Sequence, residues 1–261
     1  MINTPKVTIT GSRGFIGTHV RKNICVSYEE IDKVLGTNHK DLTGKTNILI
    51  HLSAYKKEDE SFHNPELYID NNVRDLASIL IKNNFSGVIF ASSYSVYSGK
   101  GELEPSSVYG ITKLIGEKLV RLYYPNSSWI LRASQPYGEY DKASVFYKMA
   151  QCKKTGEIFR LFDSCYRDYF NVKLIPEVIN RVLQGYVKPG IYNLGSGQIV
   201  NTSKFLRYIC EKHNIKYKLI TPPKGITINH LPTGNMILGE QGDLEEIFQT
   251  IYLKKKDFLK C

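Results

Sequence analysis

Short apolar runs alternate with amphipathic stretches through the first half of the chain, and the period of each names an element. Lys6–Thr10 reads as a strand, and Phe15–Ile24 as a helix with Phe15, Ile16, Val20 and Ile24 on one side. Further strands are expected over Tyr28–Ile31 and Asn47–Leu52. Leu67–Lys82 has helical spacing that turns Leu76, Ile79 and Leu80 inward. Strand Gly87–Ala91, helix Val108–Tyr124 and strand Trp129–Leu131 follow. Alternating strands and helices with short connections predict an α/β protein with a doubly wound parallel sheet. Beyond about residue 135 the pattern loosens and turn residues gather, as in Tyr137-Gly138, Pro189-Gly190 and Gly195-Ser196-Gly197. Residues 1–135 are therefore read as the main domain and 136–261 as a smaller lobe, with strands from around 167–195 returning to the sheet.

Composition narrows the class without choosing a function. The chain has 261 residues, 42% of them hydrophobic and 23% charged, enough apolar material for a real core and too little bias for disorder or a coiled coil. No apolar run is long enough to span a bilayer, and Met1–Lys6 lacks the basic and apolar regions of a signal peptide, so a cytoplasmic protein is expected. Cys25, Cys152, Cys165, Cys210 and Cys261 are scattered and form no CxxC, which indicates reduced thiols rather than a disulfide framework or a metal site. A formal charge of +10 points to acidic partners. The cations are dispersed, apart from Lys254-Lys255-Lys256, read as a solvated tail, and no basic helix suggests nucleic acid.

Strand Lys6–Thr10 runs straight into Gly11-Ser12-Arg13-Gly14-Phe15-Ile16-Gly17 and then a helix. Glycines spaced GxxGxxG between strand and helix suit a dinucleotide. They allow the tight turn, the close approach of backbone to pyrophosphate, and the packing of helix on strand. The helix start adds free N–H groups and the positive end of its dipole. The alternative is a merely structural turn. Asp32, at the end of the second strand, is a candidate for the ribose hydroxyls. Lys33 beside it and Arg13 within the turn would favour a 2′-phosphate, hence NADP(H) slightly over NAD(H). Asp41-Leu42 is a candidate adenine-edge contact, or equally a surface loop.

Tyr109 and Lys113 stand one turn apart on a single helix face. A neighbouring ammonium lowers the pKa of a phenol and fits it for general acid/base chemistry. The alternative is an ordinary surface pair. Upstream, strand Gly87–Ala91 ends in Ser92-Ser93-Tyr94-Ser95-Val96-Tyr97, hydroxyls at the sheet edge where such folds hold ligands. His51 is read as a hydrogen-bonded residue at a strand end, and Trp129, Tyr123 and Tyr124 as packing residues.

Taken in order, these segments resemble the extended short-chain dehydrogenase/reductase family, in particular its nucleotide-sugar branch. The match runs through Gly11–Gly17, Ile50-His51-Leu52-Ser53-Ala54, Asp70-Asn71-Asn72-Val73 and Ser92–Tyr97. It continues through Tyr109 and Lys113, Leu131-Arg132 with Pro136-Tyr137-Gly138, Arg167-Asp168-Tyr169, and Tyr192–Gly197. The resemblance implies a Rossmann-type sheet with a small C-terminal substrate-binding lobe. It implies Ser93, Tyr109 and Lys113 as the catalytic group, with Lys113 holding the nicotinamide ribose. Leu52, Ser53, Ala54 and Lys56 would lie on the nicotinamide side, and Asn72 would brace the neighbouring helix. Ser93, Tyr94, Ser95, Gln135, Arg167 and His230 would contact a nucleotide sugar, Arg167 pairing with its diphosphate. A homodimer through the helix bearing Tyr109 is also implied.

Departures from the family pattern narrow the reaction. Tyr94-Ser95 stands where 4,6-dehydratases carry Asp-Glu, so elimination is not expected. Gln135 stands where epimerases usually carry Asn and rhamnose-type reductases often carry Trp, and fits neither; Lys173 replaces an Asp, and His230 stands where an Arg is common. Two reactions remain, reduction of a nucleotide-linked 4-keto-6-deoxysugar and 4-epimerisation. The segments around His51 and Asp70–Val73 look epimerase-like, whereas the compact second lobe favours the reductase. A cofactor-binding scaffold is the non-enzymatic alternative, disfavoured because Tyr109 and Lys113 are both present.

Overall fold

The computed structural model describes residues 6–31, 48–56, 64–98, 100–221, 235–239 and 241–248. The chain opens with β1 (Val7–Thr10), α1 (Phe15–Asn23), β2 (Tyr28–Ile31) and β3 (Ile48–His51). A long helix follows in three parts, α2 (Pro65–Ile69), a π-helical turn (Asp70–Arg74) and α3 (Asp75–Lys82). Next come β4 (Gly87–Ser93), a 3₁₀ turn (Tyr94–Val96), α4 (Val108–Tyr123) and β5 (Ser128–Ala133). These elements match the expected ones to within a few residues, with two informative differences. Pro65 starts the long helix early, a position where its missing N–H is harmless. β4 runs on through Ser92 and Ser93, because both continue the parallel pairing with β5, against Arg132 and Ala133.

The later half contains β6 (Gln135–Tyr137), α5 (Val145–Thr155), β7 (Phe159–Phe162), β8 (Tyr166–Asn171), α6 (Leu174–Leu183) and β9 (Gly190–Gly195). It closes with β10 (Ile199–Asn201), α7 (Thr202–Lys212), β11 (Tyr217–Ile220), β12 (Met236–Leu238) and α8 (Leu244–Ile247). The main sheet has seven strands in the order β12-β9-β5-β4-β3-β1-β2, and every described pairing within it is parallel. Such a sheet is buried on both faces. On one face α1 and α6 cover Val7, Ile9, Ile89 and Leu131, and on the other α3 and α4 cover Leu49, Val88, Phe90 and Ile130.

The expected split at 135/136 needs amendment. Of the strands expected around 167–195 only β9 returns to the main sheet, β8 pairing with β6 and β10 instead; β12 also joins the main sheet, and Val178, Ile179 and Val182 of α6 lie in the main core. The smaller lobe is what remains: β10-β8-β6, the pair β11-β7, and a core of its own around Phe146, Met149, Leu161, Tyr169 and Ile209. The chain crosses between the two bodies repeatedly, since β9 and β12 belong to the main sheet and β10, α7 and β11 to the smaller lobe. Tyr123 also departs from expectation: it is 45% exposed, whereas Tyr124 is buried and accepts the Phe85 N–H at 3.1 Å.

Candidate active site

The glycine turn lies where β1 has β2 on one side and β3 on the other, the crevice position for ligands in a doubly wound sheet. Gly11 has φ +70°, and a Cβ there would sit 2.7 Å from the Ser53 backbone nitrogen. A Cβ at Gly17 would collide with the Gly11 carbonyl and the Ser12 backbone. Both positions require glycine, so β1, the end of β3 and α1 can close on one another. Leu52 and Ser53 complete that closure, their N–H groups donating to the Thr10 carbonyl at 3.1 Å and its hydroxyl at 3.4 Å.

Gly14 is the N-cap of α1; no side chain caps it, and the first turn, which begins Phe15-Ile16-Gly17, holds no acidic residue. The helix therefore presents backbone donors and the positive end of its dipole to an anion. Gly14 is exposed, and a Cβ there would touch only the Gly11 carbonyl, at 3.4 Å, so the turn is open on its outer side. Arg13 is exposed on the same turn. These residues fit the pyrophosphate of a dinucleotide. Asp32, Lys33, Asp41 and Leu42 lie outside the described residues, as does His230.

Tyr109 and Lys113 reach the carboxyl edge of the sheet through a close approach of backbones. Ser107 caps α4, accepting the Gly110 N–H at 3.0 Å. Gly110 in turn packs on the Ser95 carbonyl so tightly that a Cβ would overlap it. The first turn of α4 thus rests on the Ser93–Ser95 turn that ends β4. Ser93 accepts the Ser95 N–H and donates to the Ser95 hydroxyl, each at 3.1 Å, and both serines are half-buried. The ammonium of Lys56, exposed beyond β3, lies 5.6 Å from the centre of the half-buried Tyr109 ring. Lys113 is only 3% exposed, and burial lowers its pKa to about 7, with Lys56 acting in the same direction and Glu117 against it.

Asn72 does the bracing expected of it. Its side-chain oxygen accepts the Tyr55 N–H at 2.6 Å, and its amide nitrogen donates to the Tyr55 carbonyl and the Thr112 hydroxyl, both at 3.1 Å. The π turn carries Asn72 inward, so one buried amide ties the segment after β3 to α4. With those bonds made, Asn72 is only 3% exposed.

Tyr94 corrects the sequence reading. It is 2% exposed, packs edge-on against Tyr97 and donates to the Met236 sulfur at 3.6 Å, so its side chain belongs to the interior and not to a substrate surface. The 3₁₀ turn after β4 explains this, because it buries Tyr94 and Val96 and leaves Ser93 and Ser95 half-buried. Gln135 directly follows the Ser134 that extends β5, and lies opposite Tyr169 in the β6–β8 pairing. Arg167 is half-buried on β8 and donates to the Tyr166 carbonyl at 3.1 Å. His51 is a satisfied core residue, its Nδ1 2.9 Å from the Thr10 hydroxyl and its ring stacked on Phe90 at 5.7 Å.

Several supporting residues were given no role of their own from the sequence. Gly110 could have been found from the Tyr-Gly dipeptide opening a helix, and Ser107 from its N-cap position three residues before it. Asp168, buried at the edge of the small lobe, accepts the Ser196 N–H at 2.8 Å and hydroxyl at 2.6 Å, fixing the turn after β9. Its carboxyl is pushed up by burial, opposed by those hydrogen bonds. Glu117 and Arg132 form a buried ion pair between α4 and β5, and no local pattern marks it. Among the described residues no group of three His, Cys, Asp or Glu side chains could hold a metal ion, and no helix is long and apolar enough to cross a membrane.

A family model described as the RmlD substrate binding domain matches residues 5–234. The chain belongs to that family, within the extended short-chain dehydrogenases/reductases that act on nucleotide sugars. A UDP-glucose 4-epimerase of Pisum sativum is 26% identical over 55% of this chain and 55% of its own length. Among solved structures, the UDP-N-acetylglucosamine 4-epimerase of Methanobrevibacter ruminantium superposes with a TM-score of 0.77 at 22% identity, over 96% of this chain and 98% of that one. A dTDP-4-dehydrorhamnose reductase of Bacillus anthracis, in complex with NADP, gives a TM-score of 0.68 at 19% identity over 84% of each chain.

Proposed function

We propose that this family member is an NAD(P)-dependent oxidoreductase that reduces the C4 keto group of a nucleotide-linked 4-keto-6-deoxysugar. The observation carrying this reading is the seating of Tyr109 and Lys113 against the Ser93–Ser95 turn, at the same sheet edge as the uncapped glycine turn. The nicotinamide dinucleotide, when bound, supplies the hydride. The chain's own residues handle the oxygen: Ser93 hydrogen-bonds it and Tyr109 delivers the proton as alkoxide charge develops. Lys113 and Lys56 flank Tyr109 and stabilise the phenolate left once its proton has passed to the alkoxide, and solvent returns the proton before the next turnover. Arg167 and Gln135, on neighbouring strands of the small lobe, are assigned to the nucleotide diphosphate and the sugar, and His230 to the same anion.

The family model favours the reductase, since it is the reductase family's own substrate domain. Arg13, exposed on the glycine turn, favours NADP(H) over NAD(H). The test is consumption of NADPH with a 4-keto-6-deoxy sugar nucleotide. Turnover is expected, with Tyr109→Phe lowering it at least ~100-fold; a Tyr109→Phe enzyme of unchanged rate would remove the acid/base role. The second reading is 4-epimerisation, favoured by the curated and structural likeness to epimerases. Interconversion of UDP-sugars without net redox change, with NAD⁺ retained through purification, would select it.

We further propose a cytoplasmic homodimer. Leu67, Ile69 and Ile81 on the long helix and Ile111, Ile115 and Leu122 on α4 are all exposed, an apolar surface suited to a second copy. Sedimentation at micromolar concentration should give twice the chain mass, and a monomer would count against it.

A further inference from the structure

Lys113 is a charge inside the protein, and the contacts around it are specific. Its ammonium sits 4.6 Å over the centre of the Phe90 ring. Gly116 makes that possible, because a Cβ there would lie 2.6 Å from the tip of the same ring. One turn beyond Lys113, on the same face of α4, stands Glu117, also buried. The Glu117 carboxylate accepts Nε and Nη2 of Arg132 at 2.9 and 2.6 Å and the hydroxyl of Ser92. Arg132 continues the chain by donating to the Tyr97 hydroxyl at 2.6 Å, which donates to Asn193 at 2.8 Å. Donors from two strands thus hold the carboxylate in place.

Such a pair could serve only as a staple between α4 and β5. Its position argues for more. Glu117 is the described anion that acts on Lys113, and Lys56 is the described cation. β4 contributes Phe90 and Ser92, which are uncharged, and the π turn contributes the neutral Asn72 against the adjoining Thr112. Tyr109, one turn earlier, is the remaining titratable group on the face. Burial and Lys56 both drive Lys113 toward its neutral form, and Glu117 works against them.

We propose that Glu117, clamped by Arg132 and Ser92, is the counter-charge that favours the ammonium form of Lys113, and is thereby a positioning residue for the Tyr109–Lys113 pair. This rests on the acid/base reading of that pair. The test is a pH titration of the lysine ε-carbons by NMR in the full chain, with Lys113 assigned by its disappearance in Lys113→Met. In Glu117→Gln the Lys113 midpoint should fall by about one unit or more. Glu117→Asp, which keeps the charge, should restore at least half of that fall. Tyr97→Phe, which breaks the chain of hydrogen bonds beyond Arg132, should move it by less than about 0.3 units.

An unmoved midpoint in Glu117→Gln overturns the proposal. So does a Glu117→Asp midpoint as low as that of the Gln variant, or an equal fall in Tyr97→Phe, since either would make the effect one of packing. If Glu117→Gln does not fold, the double variant Glu117→Gln/Arg132→Met replaces the pair with neutral groups, an exchange that buried ion pairs tolerate. A fall is expected there too, smaller because the Arg132 cation leaves with the anion, and an unmoved midpoint is equally fatal. The titration needs no turnover, so the Tyr109→Phe rate tests the underlying acid/base reading separately.

Discussion

The glycine turn and the Tyr109–Lys113 face share one edge of the sheet but are made of different material. At the turn the working groups are backbone N–H donors, and side chains matter mainly by being absent: Gly11 and Gly17 admit no Cβ, and no side chain caps α1. Around Tyr109 and Lys113 the working groups are side chains, held by others drawn from β4, β5, α4 and the π turn. The first region gains by geometry alone. The second buries charge, and so places function against stability.

The strongest way to break the contrast is at the turn. Gly17→Ala puts a methyl group into the Gly11 carbonyl, and we expect a loss of about 4 kcal/mol in stability together with cofactor binding, read by chemical denaturation and fluorescence titration. Gly14→Ala, whose methyl group would meet only the Gly11 carbonyl at 3.4 Å, should stay within about 1 kcal/mol of the parent.

The other region should respond with the opposite sign. Lys113→Met removes a buried ammonium while keeping a chain to cover Phe90, so stability should rise by about 2–3 kcal/mol at pH 7 as turnover is lost. The folded-state pKa of about 7 lies below the free value of 10.5, so the unfolded chain holds the proton more tightly between them. Parent stability should therefore climb by about 1.4 kcal/mol per pH unit across that window, and the advantage of the Met variant should shrink accordingly.

Smaller effects sharpen the boundary between the two. Asn72→Ala strands the Tyr55 backbone groups and should lower stability by about 2 kcal/mol, with weaker cofactor binding because Lys56 follows Tyr55 directly. His19 on α1 has its pKa lowered by burial, opposed by its bond to the Glu139 carbonyl. Below pH 6.5 the unfolded chain gains a proton first, so stability should fall as pH drops through that value. His19→Gln should flatten the slope by less than about 1 kcal/mol in acid-unfolding curves.

Most of the main sheet was legible in the sequence because its strands are short apolar runs and its helices have one apolar face. Leu76, Ile79 and Leu80 turned inward as the 3.6-residue period required. The period was silent where the backbone left it, at the π turn that carries Asn72 inward and at the 3₁₀ turn that buries Tyr94. It was equally silent about β12, whose place beside β9 follows from a pairing more than forty residues away in the chain.

By itself the sequence determined the glycine turn, the spacing of Tyr109 and Lys113 and the succession of the main strands along the chain, since each depends on neighbours within a turn or two. Tertiary structure alone decided what surrounds them. It put Glu117 and Arg132 at the same depth behind Lys113, and seated Gly110 on Ser95. It also made Lys113 a buried group and left Lys56 an exposed one. The strength of a charge depends on the solvent removed from it and on the groups brought near it, and both are set by parts of the chain that only the packed sheet brings together.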